Sequence, residues 1–321
     1  MLYQTKMNSE YSLGIDTSNY KTSVAVVDNS GSIICDYRRL LEVKKGEKGL
    51  RQSEALFQHV KALPVLMSQA CDSFCGELSA VAYSSRPRSV EGSYMPVFLA
   101  GESLGRSLAS ALKIPAFDFS HQEGHIESVK AFSPFKEKDL FLACHFSGGT
   151  CEMLKCSPSG IEIMGGTKDI SYGQVIDRAG VAMGYDFPAG EALDKLALRA
   201  EGSTELLTKI KVKDVRLNLS GIDTQIKNVL AEGSVKQEDM LVREIFEKLS
   251  DSMIGIISQT AAITGIIDVI VTGGVSSSIF MRNRMRGFLE NLDINAVFGN
   301  VNLSQDNGVG IALLGGNAVW G

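Results

Sequence analysis

One layout is written twice along this chain, and few folds accommodate it. Ser12-Leu-Gly-Ile-Asp-Thr-Ser-Asn-Tyr-Lys-Thr-Ser-Val-Ala-Val-Val27 reads as strand, tight polar turn and strand, with a third strand at 32–37 after a turn at Asn29-Ser-Gly31. The second half repeats this at 140–146, the turn Ser147-Gly-Gly-Thr150, 151–156, the turn Ser159-Gly160 and 161–164. Each half then offers helical patterns and a later apolar strand, at 78–83 and at 267–272. Short β-branched runs bounded by Gly, Ser and Asn carry the strand reading. Two copies of a three-stranded meander followed by helices and strands imply an α/β protein of two domains related by duplication. The expected domains are 10–125, with the C-terminal helix 307–321 packing back on it, and 126–300. The cleft between such domains is the natural ligand site. Longer helical patterns are expected at 52–75, 97–112, 176–200 and 237–262.

Composition sets outer limits. Apolar residues at 44% and charged residues at 21% of 321 are ordinary for a soluble globular chain. A formal net charge of −5 argues against a broad electrostatic nucleic-acid binder but leaves room for a local basic groove. Six cysteines form no C-x-x-C pair, and no signal-peptide pattern opens the chain, so reduced thiols in the cytoplasm are expected. Cys71 and Cys75 are expected as buried structural thiols. The uncharged stretch 253–267 is short for a membrane span and is interrupted by Ser258, Gln259, Thr260 and Thr264, which predicts a core helix and no membrane association.

The chemistry concentrates in a few places. His121-Gln-Glu-Gly-His125 follows a strand-like run, 114–119, and supplies two of only four histidines. On a helix begun by Ser120, with Glu123 as capping-box partner, both rings lie on one face and can share a metal ion. A zinc peptidase of the H-E-x-x-H type needs Glu beside the first His, where this chain has Gln122. Glycine turns at Gly148-Gly149, Gly165-Gly166 and Gly273-Gly274 follow or end apolar strands, where backbone N–H groups can approach phosphates. There is no G-x-x-x-x-G-K-[ST] loop and no G-x-G-x-x-G after a strand. Asp16 ends a strand beside hydroxyl residues; it either orients water or a metal-phosphate, or caps its own turn. Asp306-Asn307 is a helix N-cap or, facing the histidines, an oxygen ligand. His145 precedes the Ser-Gly-Gly turn and is either a core histidine or a ligand.

Taken in order, these motifs resemble, over almost the whole chain, the glycoprotease-like (TsaD/Gcp) family of tRNA threonylcarbamoyladenosine transferases. Leu13-Gly-Ile-Asp-Thr-Ser18 is similar to its opening hairpin, His121-Gln-Glu-Gly-His125 to its H-x-x-G-H metal motif, and Ser147-Gly-Gly149 to its second hairpin turn. The stretch 169–178 with Gly173 and Asp177, Phe187-Pro-Ala-Gly190, Ser220-Gly221, Gly273-Gly274-Val275 and Asp306-Asn307 continue the series. The resemblance implies two duplicated domains of the actin/sugar-kinase/heat-shock ATPase fold. It implies one divalent metal, iron or zinc, on His121, His125 and Asp306, with His145 where the archaeal branch has a metal-facing tyrosine. It also implies ATP or an acyl-adenylate against Gly148, Gly149, Gly273 and Gly274, with Asp177 and Gly190 around ribose and base. Partners implied are adenine nucleotide, tRNA and a paralogous protein or second copy. The activity implied is transfer of a carbamoyl-type group; the alternative is a non-catalytic paralogue acting through a true transferase, and metallopeptidase ranks last.

Four positions depart from the family pattern. Tyr20 and Lys21 replace its acidic pair, and Arg86-Pro87-Arg88 replaces a G-P-G loop. Thr150 stands where His or Asn is usual, and Ser278 where Asn is. Lys21 is accordingly a candidate phosphate contact, as are Arg86 and Arg88 for another anion.

Overall fold

Strand β1 (Glu10–Thr17) is buried along almost its whole length, and its two faces meet different neighbours. Tyr11, Leu13 and Ile15 join Val24, Val26, Val81 and Tyr83 in an apolar core with Leu63, Leu66, Ala100 and Ala109. The opposite face carries small residues, Ser12 and Gly14, and this small face lets a helix approach closely. The computed structural model describes residues 10–18, 20–44, 49–149, 151–233 and 237–321.

The chain forms two compact units. The first comprises residues 1–42, 50–132 and 306–321, and the second 43–49 and 133–305. In the first, β2 (Lys21–Asp28) and β3 (Ile33–Leu40) complete an antiparallel meander with β1. Helix α1 (Gln52–Cys71), β4 (Glu77–Arg86), α2 (Phe98–Leu112), β5 (Ala116–Ser120) and α3 (His121–Lys130) follow, giving sheet order β3-β2-β1-β4-β5. In the second unit, β6 (Phe141–Phe146), β7 (Cys151–Ser157) and β8 (Gly160–Thr167) are the meander. Helices α4 (Tyr172–Ala182) and α5 (Gly190–Arg199), strand β9 (Arg216–Leu217), α6 (Ser220–Ala231) and α7 (Glu238–Thr264) come next. Then β10 (Asp268–Thr272), α8 (Ile279–Glu290), β11 (Asn295–Phe298) and the short α9 (Val301–Ser304) close the unit. Its sheet runs β11-β10-β6-β7-β8-β9, the first unit's order repeated with β9 added at one edge.

The last helix, α10 (Val309–Trp320), returns to the first unit and covers the small face of its sheet. A Cβ on Gly14 would sit 2.3 Å from both Ala312 N and Gly308 O, and one on Gly315 would sit 2.6 Å from the Ala82 Cβ. The contacts at Gly14 are with backbone atoms, a closeness that only glycine allows.

Two expectations need correction, and a third holds. The helical pattern at 176–200 is two helices, because Gly184 at φ +92° and the Phe187-Pro188 step interrupt it. Helix α1 stops at Cys71, and Cys71, at the helix end, and Cys75, on the turn that leads into β4, are exposed rather than buried. The stretch 253–267 does lie in a core helix up to Thr264, with Met253, Ile256 and Ile257 buried, and no helix among the described residues is long and apolar enough to cross a membrane.

Gly14→Ala is expected to destabilise the first unit by about 3 kcal/mol, since backbone atoms rather than a flexible side chain block the new methyl. Trp320, the only tryptophan, ends α10 and donates to Glu10 Oε2 at 2.9 Å, so its fluorescence in a urea titration reports this loss directly. An unchanged midpoint would show that α10 does not need the close approach.

Candidate functional site

Ser120 ends β5 in extended conformation and begins α3 with a complete capping box. Its hydroxyl accepts the Glu123 N–H at 3.1 Å, and the Glu123 carboxylate accepts the Ser120 N–H at 2.6 Å. Glu123 therefore serves the helix end. The box fixes His121 as the first helical residue and puts His125 one turn on, with the two Nε2 atoms 3.0 Å apart. Asp306 arrives from just before α10, with Oδ1 at 3.2 Å from His125 Nε2 and 3.6 Å from His121 Nε2. Asn307 takes the other role open to this pair: its Oδ1 accepts the Val309 and Gly310 N–H groups and caps α10.

These donors fit a metal ion. Ligand atoms about 2.0–2.1 Å from a tetrahedral centre lie about 3.3 Å from one another, and the three donors here are spaced by 3.0, 3.2 and 3.6 Å. Two imidazoles and a carboxylate suit zinc or ferrous iron better than magnesium or calcium. The outer surroundings fit as well. Asp16, fully buried at the end of β1, places Oδ1 2.9 Å from His121 Nδ1, the far nitrogen of the ring. A carboxylate behind a histidine fixes its tautomer and raises its basicity as a ligand. The Asp16 side chain thus turns into the histidine rather than into its own hairpin turn. Its second oxygen, Oδ2, is buried with no hydrogen-bond partner among the described residues.

The charges are tightly balanced. Burial opposes a charge on His121, but the Asp16 and Asp306 carboxylates outweigh it and push the ring up to about 9. His125 moves the other way, through burial and the neighbouring His121. Burial raises Asp306, but its hydrogen bond to His125 and the fields of His121, His125 and Lys21 hold it well below the usual carboxylate range. Lys21, the first residue of β2, is lowered by burial, and Asp306 counters that shift. A metal entering this cluster must displace the His121 proton.

Sequence reasoning missed His59. It is fully buried on α1, with Nε2 2.7 Å from the Ser18 carbonyl oxygen and Nδ1 2.8 Å from Thr22 Oγ1. A carbonyl only accepts, so Nε2 donates and Nδ1 accepts the Thr22 hydroxyl. Burial lowers the His59 pKa and keeps the ring neutral. Ser18 in turn donates its hydroxyl to Asp306 Oδ2 at 3.0 Å. The available signal was a polar residue on the buried stripe of Ala55, Ala62, Leu63 and Leu66.

The second unit gathers the glycine turns. His145 is the penultimate residue of β6 and is buried. Ser171, the N-cap of α4, donates to Gly148 O at 2.6 Å, and a Cβ on Gly173 would lie 2.6 Å from Gly148 Cα. Gly149 follows, exposed, with its N–H on Ser147 Oγ at 3.3 Å. Gly273, at φ +95°, presses on the Phe146 backbone, where a Cβ would come within 2.4 Å of the carbonyl oxygen. Gly148 and Gly274 are different, since a Cβ on either meets nothing within 4 Å. Farther along α4, Asp177 accepts the Ala189 N–H at 2.9 Å, which brings it beside Gly190 at the start of α5. Burial pushes the Asp177 carboxyl up to about 6, against that bond.

Two of the departures from the family pattern, Arg86 and Ser278, have partners within the structure. Arg86, partly exposed, is bound to Asp118 Oδ2 at 2.5 Å and lies 3.8 Å from Glu123, so its charge is already paired within the first unit. The Arg88 N–H donates to Ser93 Oγ at 3.1 Å. Ser278 caps α8 through the Met281 N–H at 3.1 Å and bonds Asp194 Oδ1 at 2.5 Å. Thr150 lies outside the described residues.

Residues 41–313 match the family described as TsaD, tRNA N6-adenosine threonylcarbamoyltransferase. The chain belongs to the TsaD family. A relative bearing that name from Neorickettsia sennetsu is 27% identical over 313 residues, covering 95% of this chain and 93% of its own length. Solved structures are more distant. HypF in a phosphate- and nucleotide-bound form aligns with a TM-score of 0.63 at 14% identity over 98% of this chain and 56% of its own. A ROK family glucokinase from Streptomyces griseus gives 0.55 at 14% identity over 95% and 99%. These neighbours share with this TsaD-family transferase the fold of actin-like ATPases and sugar kinases.

Asp177→Asn keeps an acceptor for Ala189 N–H and removes a buried charge. Because the folded carboxyl titrates above its unfolded value, its ionisation costs stability above pH about 6 and nothing below about 4. The variant is expected to be roughly 1–3 kcal/mol more stable than the parent at neutral pH, with the gap closing in acid. Urea unfolding at a series of pH values checks this; a gap independent of pH would refute the buried charge.

Proposed function

We propose that this chain transfers a threonylcarbamoyl group from an adenylate to an adenosine of tRNA, with one divalent metal, zinc or iron, on His121, His125 and Asp306. The observation that carries the reading is the convergence of those three donors with Asp16 buried behind His121. His145 is proposed as a fourth ligand from its position two residues before the Ser147-Gly-Gly149 turn. When bound, the metal supplies Lewis-acid polarisation of an acyl or phosphoryl oxygen and a template for the substrate.

The chain's own residues supply the remainder. Asp16 holds His121 in the tautomer that presents Nε2 as a lone pair, and Ser18 holds Asp306. Adenine nucleotide is assigned to the Gly148-Gly149 and Gly273-Gly274 turns, where the open space over Gly148 and Gly274 favours close approach of phosphate to backbone N–H. Asp177 and Gly190 are assigned to ribose and base. Lys21 is assigned to an anionic group of the substrate, phosphate or carboxylate, because it is a cation set in the field of Asp306. One observation favours a second reading, a nucleotide- and metal-binding paralogue that acts through a partner transferase: Tyr20 and Lys21 stand where the family pattern has acids.

Metal analysis of anaerobically purified protein is expected to find about one zinc or iron per chain, and none in His121→Ala. Asp16→Asn should keep the fold and lose about 10- to 100-fold in metal affinity, measured by competition with a chelator. Absence of metal from the parent, even after loading, would overturn the metal assignment. Incubation with threonylcarbamoyl-adenylate and unmodified tRNA, read by nucleoside mass, separates the two readings. Modified adenosine supports the transferase; bound nucleotide returned unchanged supports the partner role.

A further inference from the structure

Residues 208–217 of the second unit carry a single-sided basic strip. Lys209, Lys211, Lys213 and Arg216 are exposed, while Ile210, Val215 and Leu217 are buried and Val212 packs on the core. Alternate residues of an extended segment lie about 6.7 Å apart on one side, so successive lysines can reach different phosphates. Lys168 adds a fifth exposed cation, its N–H donating to Leu217 O at 3.0 Å. Among the described residues none of the five takes part in an ion pair. The acids nearby are few: Asp214 is exposed on the turn, Asp169 is held by the Leu219 and Ser220 N–H groups at 2.9 Å, and Glu162 on β8 faces Lys155. This local excess stands on a chain with a net charge of −5.

The strip is built at a cost. Lys213 and Arg216 face one another across a bridge, each N–H bonded to the other's carbonyl at 2.9 and 3.0 Å. Like charges directly opposite repel. The two residues between them, Asp214 at φ +52° and Val215 at φ +56°, form a two-residue turn that normally takes Asn and Gly. A β-branched residue in that region is a true outlier. The surroundings over-determine it. Gln259 on α7 accepts the Val215 N–H and donates to the Val212 carbonyl, both at 3.1 Å, and Gly166 donates to Val215 O at 2.9 Å. Gly165 leaves the space that Val215 fills, for a Cβ there would lie 2.0 Å from Val215 O. The second unit's own contacts thus hold the turn in place, while the like charges of Lys213 and Arg216 point outward with no acidic partner among the described residues.

We propose that Lys168, Lys209, Lys211, Lys213 and Arg216 form the strip on which this chain seats the phosphate backbone of its tRNA. The inference rests on the RNA-acting reading above and adds to it which surface makes the contact. The occupant is a polyanion, because the strip offers repeated point charges and no apolar pocket. Its contacts position the RNA and do not read its sequence.

The test is tRNA binding by the full chain, by fluorescence anisotropy from about 50 to 250 mM potassium chloride. The variant Lys209→Ala/Lys211→Ala/Lys213→Ala/Arg216→Ala is compared with the parent. Loss of four phosphate contacts is expected to flatten the log–log salt slope by about 3 and to weaken binding roughly 10- to 100-fold at low salt. Lys209→Ala and Lys211→Ala, both outside the strained turn, should each flatten it by a little under 1 and carry the test if the fourfold variant does not fold. Parental binding with an unchanged slope in the variants overturns the strip and leaves the transferase reading standing, as would retained RNA binding with loss of an acidic protein partner. No tRNA binding by the parent overturns both.

Discussion

The first unit turns on one close contact between two backbones. A Cβ on Gly310 would lie 1.8 Å from the Gly124 carbonyl oxygen, and one on Gly124 would lie 2.8 Å from Ile311 Cδ1. At Gly310 the backbone of α10 therefore meets that of α3 directly, with the Ile311 side chain packed over Gly124, and this fixes the depth at which α10 begins. Asp306 stands just before that start, so the glycine inside His121-Gln-Glu-Gly-His125 sets the distance from the histidines to their carboxylate. The same tolerance for contact recurs under α10 at Gly14, Gly308 and Gly315, which makes the sheet, the helix and the site one packing problem.

Around the three donors, each polar group is held by another. His59 grips the Ser18 carbonyl, Ser18 grips Asp306, and Asp16 grips His121. Such support holds the three donors at the spacing that the proposed metal would need and reduces the ordering that binding it would require. Lys21 gives this centre a cation near Asp306, where the family pattern has an acid. That exchange adds a positive charge beside Asp306.

What the sequence made legible was local. The doubled meander, the capping box at Ser120 and Glu123, and the pairing of His121 with His125 all depend on residues within a few positions of one another. The family motifs extended that reach to Asp306, 181 residues from His125. What stayed hidden was long-range and bonded to main chain. His59 meets the Ser18 carbonyl across 41 residues, and a carbonyl leaves no trace in a sequence. Arg86 looked available because its partner Asp118 lies 32 residues away. The helix expected over 176–200 failed for another reason, since apolar spacing continues on both sides of Gly184 and Pro188 and masks the break. Nothing in Lys213-Asp-Val-Arg216 announces that a valine adopts positive φ, because that conformation is imposed by Gly165, Gly166 and Gln259 from neighbouring elements.

The separation of Asp306 from the two histidines also has a temporal consequence. A ribosome that has just added His125 must add 181 more residues before it reaches the carboxylate, a delay of about 10–40 s at ordinary elongation rates. Until α10 is made, the small-residue face of the sheet, with Ser12, Gly14 and Ala82, has no helix to cover it. At that stage His121 and His125 lack the carboxylate of the proposed metal site. The same helix covers the sheet and brings Asp306 to His121 and His125, so a finished core and the proposed ligand set depend on one element.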